Sequence, residues 1–228
     1  MKELRRIQAR PDNSILMVID IDYETNETVG GLPEPNPEAS TKPAIVPTVR
    51  RLIDSAHQAG VQVIYVQSVR NHREPQFTIF KHAATRKIGT RSSQIVEELT
   101  PEPRDIIVRK WNHDPWYQTD LERVLDGLVP EPTKCQVLIT GGAGTGCAFF
   151  GTMGFYIRNF QTIFVTDAIY GRPIVASGHL SRTVYPTYAN IYLSRSDLIE
   201  FAHPTERRKV DTHAAGIAAG EAVIHHSS

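Results

Sequence analysis

The chain has 228 residues, and its 25 Lys and Arg balance its 25 Asp and Glu, so no net field draws it to a polyanion or an acidic membrane surface. Nucleic acid is therefore disfavoured as a partner. The N-terminal MKELRRIQARPDN lacks the apolar core of a signal peptide, and no run of about 18 apolar residues appears. The expectation is a soluble, cytoplasmic protein with no membrane partner, large enough for one α/β domain with a substantial core.

In chain order, the first element is the apolar run ILMVID at 15–20. It is followed by YETNETVGGLPEPNPEASTKP at 23–43, a long Gly-, Pro- and Glu-rich loop of the kind that covers a site. A segment of helical period, AIVPTVRRLIDSAHQAG, ends at Gly60, and VQVIYVQ at 61–67 is the next apolar run. DIIVRK at 105–110 precedes a second helical segment, TDLERVLDGL, behind Thr119. QVLITG at 136–141 leads through glycines into a third, CAFFGTMGFYIRNF, and TIFVTD at 162–167 and NIYLS at 190–194 close the series. Continuous rather than alternating apolar runs mark strands covered on both faces, hence a parallel sheet. With helices between them, the pattern predicts a three-layer α/β/α, Rossmann-like fold with a mostly parallel sheet of about six strands. That domain is expected over 1–203. The Ala- and Gly-rich tail at 204–228 reads either as an arm for a partner subunit or as a frayed terminus.

Sheets of this kind place their sites beyond the carboxyl ends of the strands. There the sequence puts Asp20, Asp22, Gln67, Ser68, Lys110, Asp167 and a glycine turn, Gly141 to Gly146, leading into Cys147. The turn has two readings. As a dinucleotide fingerprint, Gly142-Ala-Gly144 follows a strand, opens a helix and has Asp167 about 20 residues on, but the last two glycines are spaced by one residue instead of two. As a nucleophile turn, it presents Cys147 at a helix N-terminus, where unpaired N–H groups lower a thiol pKa and can hold an oxyanion. Asp20 would then be the proton acceptor and Lys110 the charge that supports both. Against this, Cys147 alone could be a small buried hydrophobe, and each charge a solvated strand end. Cys135 and Cys147 stand at opposite ends of one strand, roughly 20 Å apart, too far for a disulfide. Two free thiols suit a reducing compartment.

Asp20 in MVID, Lys110 in DIIVRKWNHDPWYQTDLERVL and Cys147 in VLITGGAGTGCAFFGTMGF resemble, in order and spacing, the Asp-Lys-Cys triad of the isochorismatase-like cysteine hydrolases. This superfamily includes nicotinamidase and N-carbamoylsarcosine amidohydrolase. The resemblance runs from about Ser14 to Phe201 and takes in Trp116, Thr119 to Leu121, FVTDA at 164–168 and SGHL with His179. It implies that Cys147 attacks a carbonyl carbon, that Asp20 serves as base and then acid, and that Lys110 orients the pair. It also implies an oxyanion hole built from the N–H groups of Gly146 and Cys147, with a cis peptide just before the nucleophile.

Three departures bear on the substrate. Asp22 stands where the family usually has Gln, and would either raise the pKa of Asp20 by repulsion or contact a cationic or NH-rich substrate. The turn Gly144-Thr145-Gly146 replaces Thr-Asp-hydrophobic and leaves a roomier approach. Asn71-His72 replaces the Asp-x-His metal motif of nicotinamidases, so neither metal nor cofactor is expected. The cysteine argues against vinyl-ether cleavage, which relatives without it perform. The expected pocket is lined by Tyr23, His72, Trp116, Thr145, Phe149 and Phe150, with Arg70 or Arg73 for an anionic group. The reading is a metal-independent hydrolase of a small carboxamide or ureido compound, a homodimer or homotetramer by resemblance. The alternative is a catalytically idle relative that binds a small molecule or partner in the same pocket.

Overall fold

A computed structural model describes residues 3–23, 41–70, 86–171 and 179–202. Most of the expected covering loop, His72, Arg73 and the tail at 204–228 lie outside these residues.

Six strands form one parallel sheet: β2 (Ser14–Ile19), β3 (Gln62–Ser68), β4 (Ile106–Lys110), β5 (Gln136–Gly142), β6 (Gln161–Tyr170) and β7 (Ile191–Ser194). Their spatial order is β4-β3-β2-β5-β6-β7, and every pairing is parallel. Each expected apolar run is thus a strand. A parallel pair of short strands, β1 (Ile7–Ala9) and β8 (Ile199–Phe201), was not foreseen; it joins the two ends of the described chain.

The two-residue period of the strands divides their side chains between two cores. Leu16, Val18, Val63, Tyr65 and Leu138 face α1 (Lys42–Ala59), which meets them with Val49, Leu52, Ile53 and Ala56. The alternate residues Met17, Ile19, Ile64, Val66 and Ile139 face α2 (Leu121–Leu128) and α3 (Cys147–Ile157), through Leu121, Leu125, Ala148 and Phe155. The result is the three-layer α/β/α arrangement. Helix α1 stops at Gly60, whose φ of 77° is the left-handed conformation that a glycine C-cap adopts without strain. Among the described residues no helix is long and apolar enough to cross a membrane.

Strand β6 runs further than TIFVTD predicted. Ile139 pairs with Phe164, but Gly141 pairs with Ile169, so β6 sets five residues against two of β5. The extra residues form an irregularity of the bulge type, which commonly re-aims a strand beside a site. Two consequences follow. Ile169 and Tyr170 are carried against the glycine turn, and Asp167 is turned away from it. The Asp167 carboxylate accepts hydrogen bonds from the Ser196 N–H at 2.8 Å and the Ser196 hydroxyl at 2.6 Å, so Asp167 does not belong to the cluster at the strand ends.

Candidate active site

The turn between β5 and α3 is packed too tightly for an open phosphate cradle. Gly141 has φ 92°, and a Cβ there would lie 2.0 Å from the Ile19 carbonyl oxygen. One on Gly142 would meet the Tyr170 ring at 2.9 Å, and one on Gly144 would meet Ile169 at 2.9 Å. The glycines bring the turn onto β2 and β6, and Asp167, the acidic residue of the fingerprint, is engaged by Ser196. These contacts argue against the dinucleotide reading. The Gly142–Ala143 peptide is cis, placing the cis bond earlier in the turn than the expected position beside the nucleophile.

At the end of β2, Asp20 takes φ 53°, a conformation that Asp tolerates better than most residues. Its backbone is tied on both sides: its N–H donates to the Val66 carbonyl at 2.9 Å, and its own carbonyl accepts from the Tyr170 hydroxyl at 2.9 Å. Its Oδ1 accepts from the Ser68 N–H at 3.0 Å. Lys110, at the end of β4, is fully buried and brings Nζ to 2.8 Å from Asp20 Oδ2. The same ammonium donates to Ser68 Oγ at 2.6 Å, to the Asn112 carbonyl at 2.9 Å and to Cys147 Sγ at 3.1 Å. Cys147 is the first residue of α3 and is 6% exposed. Three strand ends thus bring Asp20, Lys110 and Cys147 into mutual contact.

The protonation states follow from burial and charge. Burial works to raise the Asp20 pKa, but Lys110, Arg86 and hydrogen bonds from Cys147 and Lys110 outweigh it and hold the carboxyl well below the usual range. For Cys147, burial and the adjacent Asp20 carboxylate outweigh Lys110 and Arg86, and the thiol is pushed up to about 11. This overturns the expectation of a lowered thiol pKa: a helix N-terminus favours thiolate, but a buried sulfur beside a carboxylate keeps its proton. Lys110, which burial alone would neutralise, is held charged by Asp20 and Cys147. The resting site is carboxylate, ammonium and thiol.

Residues 14–182 match the Isochorismatase domain family. The chain belongs to that family. A ureidoacrylate amidohydrolase, RutB of Acinetobacter baylyi, is 22% identical over 189 residues, covering 74% of this chain and 75% of that protein. The N-carbamoylsarcosine amidase of Thermoplasma acidophilum superposes with a TM-score of 0.64 at 23% identity, over 81% of this chain and 97% of that one. A cysteine hydrolase of Pseudomonas syringae superposes with a TM-score of 0.70 at 17% identity, over 86% and 94%. The family includes hydrolases of amides, and these structures share its fold.

Within this isochorismatase-family fold the other expected site residues separate. Phe150 is 45% exposed at the first turn of α3, 6.2 Å from the ring of His113. Phe149 turns inward and stacks on Tyr185. Thr145 is half-buried in the turn. The Gly146 N–H is already donated to the Ala143 carbonyl at 2.9 Å, so an oxyanion role for it requires that bond to open. Among the described residues, the N–H groups of Ala143 and Cys147 have no backbone acceptor.

Trp116 does not line the site. Its indole fills the slot left by the missing side chain of Gly154 and packs edge-on against Phe155 at 4.8 Å. Gly154 lies seven residues along α3 from Cys147, about 10 Å at the helical rise. Tyr23 is committed elsewhere: its hydroxyl accepts from the Glu97 N–H at 2.9 Å, and Arg91 lies over its ring. Arg70 stands two residues beyond β3, and its Nε is buried without a hydrogen-bond partner among the described residues.

Asp22 is buried, and its carboxylate faces protein cations. Lys42 Nζ donates to Oδ1 at 2.6 Å and Arg86 Nε to Oδ2 at 2.6 Å. Neither sequence expectation for Asp22 fits this geometry, since its charge is answered and the pKa of Asp20 is lowered rather than raised. Ser68, named only as a strand end, holds both Asp20 and Lys110.

Lys42, Arg86, Tyr170 and His113 were missed. His113, three residues after Lys110, had a signal in the sequence, WNHDPW; its Cδ2 lies 3.5 Å from where a Cβ on Gly146 would be. Desolvation, then the charges of Lys110 and Arg70, hold its pKa below the ordinary imidazole value. No group of three metal-ligating side chains occurs among the described residues.

Proposed function

We propose that this protein is a cysteine hydrolase that cleaves the C–N bond of a small carboxamide or ureido compound through a thioester. One observation carries the reading: a single buried ammonium, Lys110 Nζ, touches both Asp20 Oδ2 at 2.8 Å and Cys147 Sγ at 3.1 Å. In the proposed cycle the thiol proton passes to Asp20 as Sγ attacks the carbonyl carbon, so the pair's charge moves without leaving the site. The negative charge on the carbonyl oxygen is received by the Cys147 N–H and the start of α3. The C–N bond breaks, and Asp20 returns its proton to the departing nitrogen. Water then attacks the thioester, Asp20 takes one of its protons, and the thiol leaves reprotonated. Both protons are accounted for by one carboxylate, which Lys110 keeps ionised between steps.

The raised thiol pKa is compatible with this order, because deprotonation is coupled to attack and needs no standing thiolate. The test is ammonia release from a set of carboxamides and N-carbamoyl acids, with Cys147→Ala as blank and intact mass of the quenched enzyme as a second readout. Release that disappears in the variant, together with an acyl adduct on Cys147, supports the reading. Release that survives Cys147→Ala overturns it.

A further inference from the structure

Half-buried Arg70 carries a charge that the described residues leave unanswered. Its Nε is buried without a hydrogen-bond partner, and among the described residues no ion pair includes its guanidinium. The two carboxylates at this edge of the sheet are engaged elsewhere. Asp20 Oδ1 accepts from the Ser68 N–H and Oδ2 faces Lys110, while Asp22 takes Lys42 on Oδ1 and Arg86 on Oδ2. A buried charged donor without an acceptor forfeits the hydrogen bonds that water would give it. Folded proteins keep few such groups, and each calls for a reason.

The fold puts this cation beside the reacting groups. Beyond β3 the chain stays extended: the Val69 N–H donates to the Lys110 carbonyl at 3.0 Å, the Arg70 N–H to the Arg86 carbonyl at 2.8 Å, and the Arg70 carbonyl accepts from the Ile88 N–H at 3.1 Å. Alternate residues of an extended chain share a face, so Arg70 leaves the chain on the side of Ser68, about 7 Å further along. This is also the side of Val66, which packs in one core with Cys147 and Ala148. Ser68 Oγ lies 2.6 Å from the ammonium that touches Cys147 Sγ at 3.1 Å. His113, which packs on the turn at Gly146, has Arg70 among the charges acting on its imidazole, in agreement with that side.

We propose that Arg70 is a specificity-determining residue whose guanidinium binds a carboxylate of the substrate, so that the compound cleaved is an amide or N-carbamoyl compound carrying an acid group near the scissile carbonyl. The inference rests on the hydrolase reading above and names its substrate class. A planar guanidinium fork binds a carboxylate through two hydrogen bonds. That clamp gives the buried donor its acceptor and turns the carbonyl carbon toward Sγ. A neutral amide of the same shape leaves the cation unpaired, and the cost of that unpaired group is the source of discrimination.

The experiment compares N-carbamoylglycine and N-carbamoyl-β-alanine with their methyl esters, which keep the ureido group and remove the charge. Binding is measured by calorimetry on Cys147→Ala, and turnover on the wild-type chain. One of the acids is expected to bind about 10- to 100-fold more tightly than its ester, as a hydrogen bond to a charged group allows. Arg70→Gln in the same background is expected to abolish that advantage, to leave ester binding unchanged and to keep the melting temperature. A merely structural role lowers the melting temperature and weakens acid and ester alike, which overturns the proposal. An acid that never binds more tightly than its ester also overturns it, and that result comes from chains with Arg70 intact, whatever the variant's folding. Arg70-dependent acid binding without wild-type turnover supports the carboxylate site and defeats the hydrolase reading. Turnover indifferent to the acid group does the reverse.

Discussion

Two carboxylates lie two residues apart at the end of β2, both buried and both paired with a lysine, yet they occupy different chemical situations. Asp20 shares its lysine with a thiol, that of Cys147. Asp22 is held between Lys42 and Arg86. Burial and ion pairing alone therefore do not mark a reactive carboxylate. What distinguishes Asp20 is a neighbour that can give up a proton.

Under the proposed mechanism the largest expected effect falls on Asp20 and the thiol beside it. Asp20→Asn and Cys147→Ala should each lower turnover by at least about 10⁴-fold while the protein stays folded, as removal of a nucleophile or its base does. Asp22→Ala should act first on stability, because it removes a carboxylate that two buried cations, Lys42 and Arg86, both bind. A loss of about 3–5 kcal/mol is expected in urea unfolding, and turnover in the fraction that remains folded should fall far less than in Asp20→Asn. The comparison breaks if the two variants exchange these phenotypes.

Tyr170→Phe tests how Asp20 is held. It removes the hydroxyl that binds the Asp20 carbonyl and should cost about 1–3 kcal/mol for a buried acceptor left unsatisfied.

The effect that is smallest at neutral pH is a pH slope. Burial pushes the Cys135 thiol up to about 12 and Cys147 to about 11, whereas an unfolded thiol ionises near about 8.5. The folded state therefore holds these protons more tightly, and the stability they confer is complete below about pH 8.5 and declines as pH rises beyond it. Each thiol contributes a slope of about 1.4 kcal/mol per pH unit, and Cys135→Ala should remove one such contribution from the alkaline limb. Asp20 has the opposite sign: its contribution is present above about pH 4 and fades on acidification.

All six sheet strands were legible because a strand covered on both faces must be apolar along its whole length, and Val- and Ile-rich runs of that kind are hard to mistake. The meeting of Asp20, Lys110 and Cys147 was legible because parallel strands deliver their last residues to one edge. What escaped the sequence depended on contacts between distant segments. The partners of Asp22 lie 20 and 64 residues away, and nothing local announces them. Trp116 was misread because its slot is an absence, the missing side chain of Gly154 on α3. The continuation of β6 to Tyr170 is imposed by pairing with Gly141 and Gly142, not by its own pattern. The thiol pKa was misjudged because a helix start is visible in sequence, whereas depth of burial is not.

Lys110 is carried by β4, which has β3 as its only sheet neighbour among the described residues, whereas Asp20 and Cys147 follow interior strands. Backbone amides of an edge strand open at lower free energy than those in the middle of a sheet. Amide exchange along Ile106–Lys110 should therefore outpace that of β2 and β5. On warming, the shared ammonium would leave first, and the hydrolysis proposed above would be lost over a temperature range in which the sheet still gives a native circular dichroism signal.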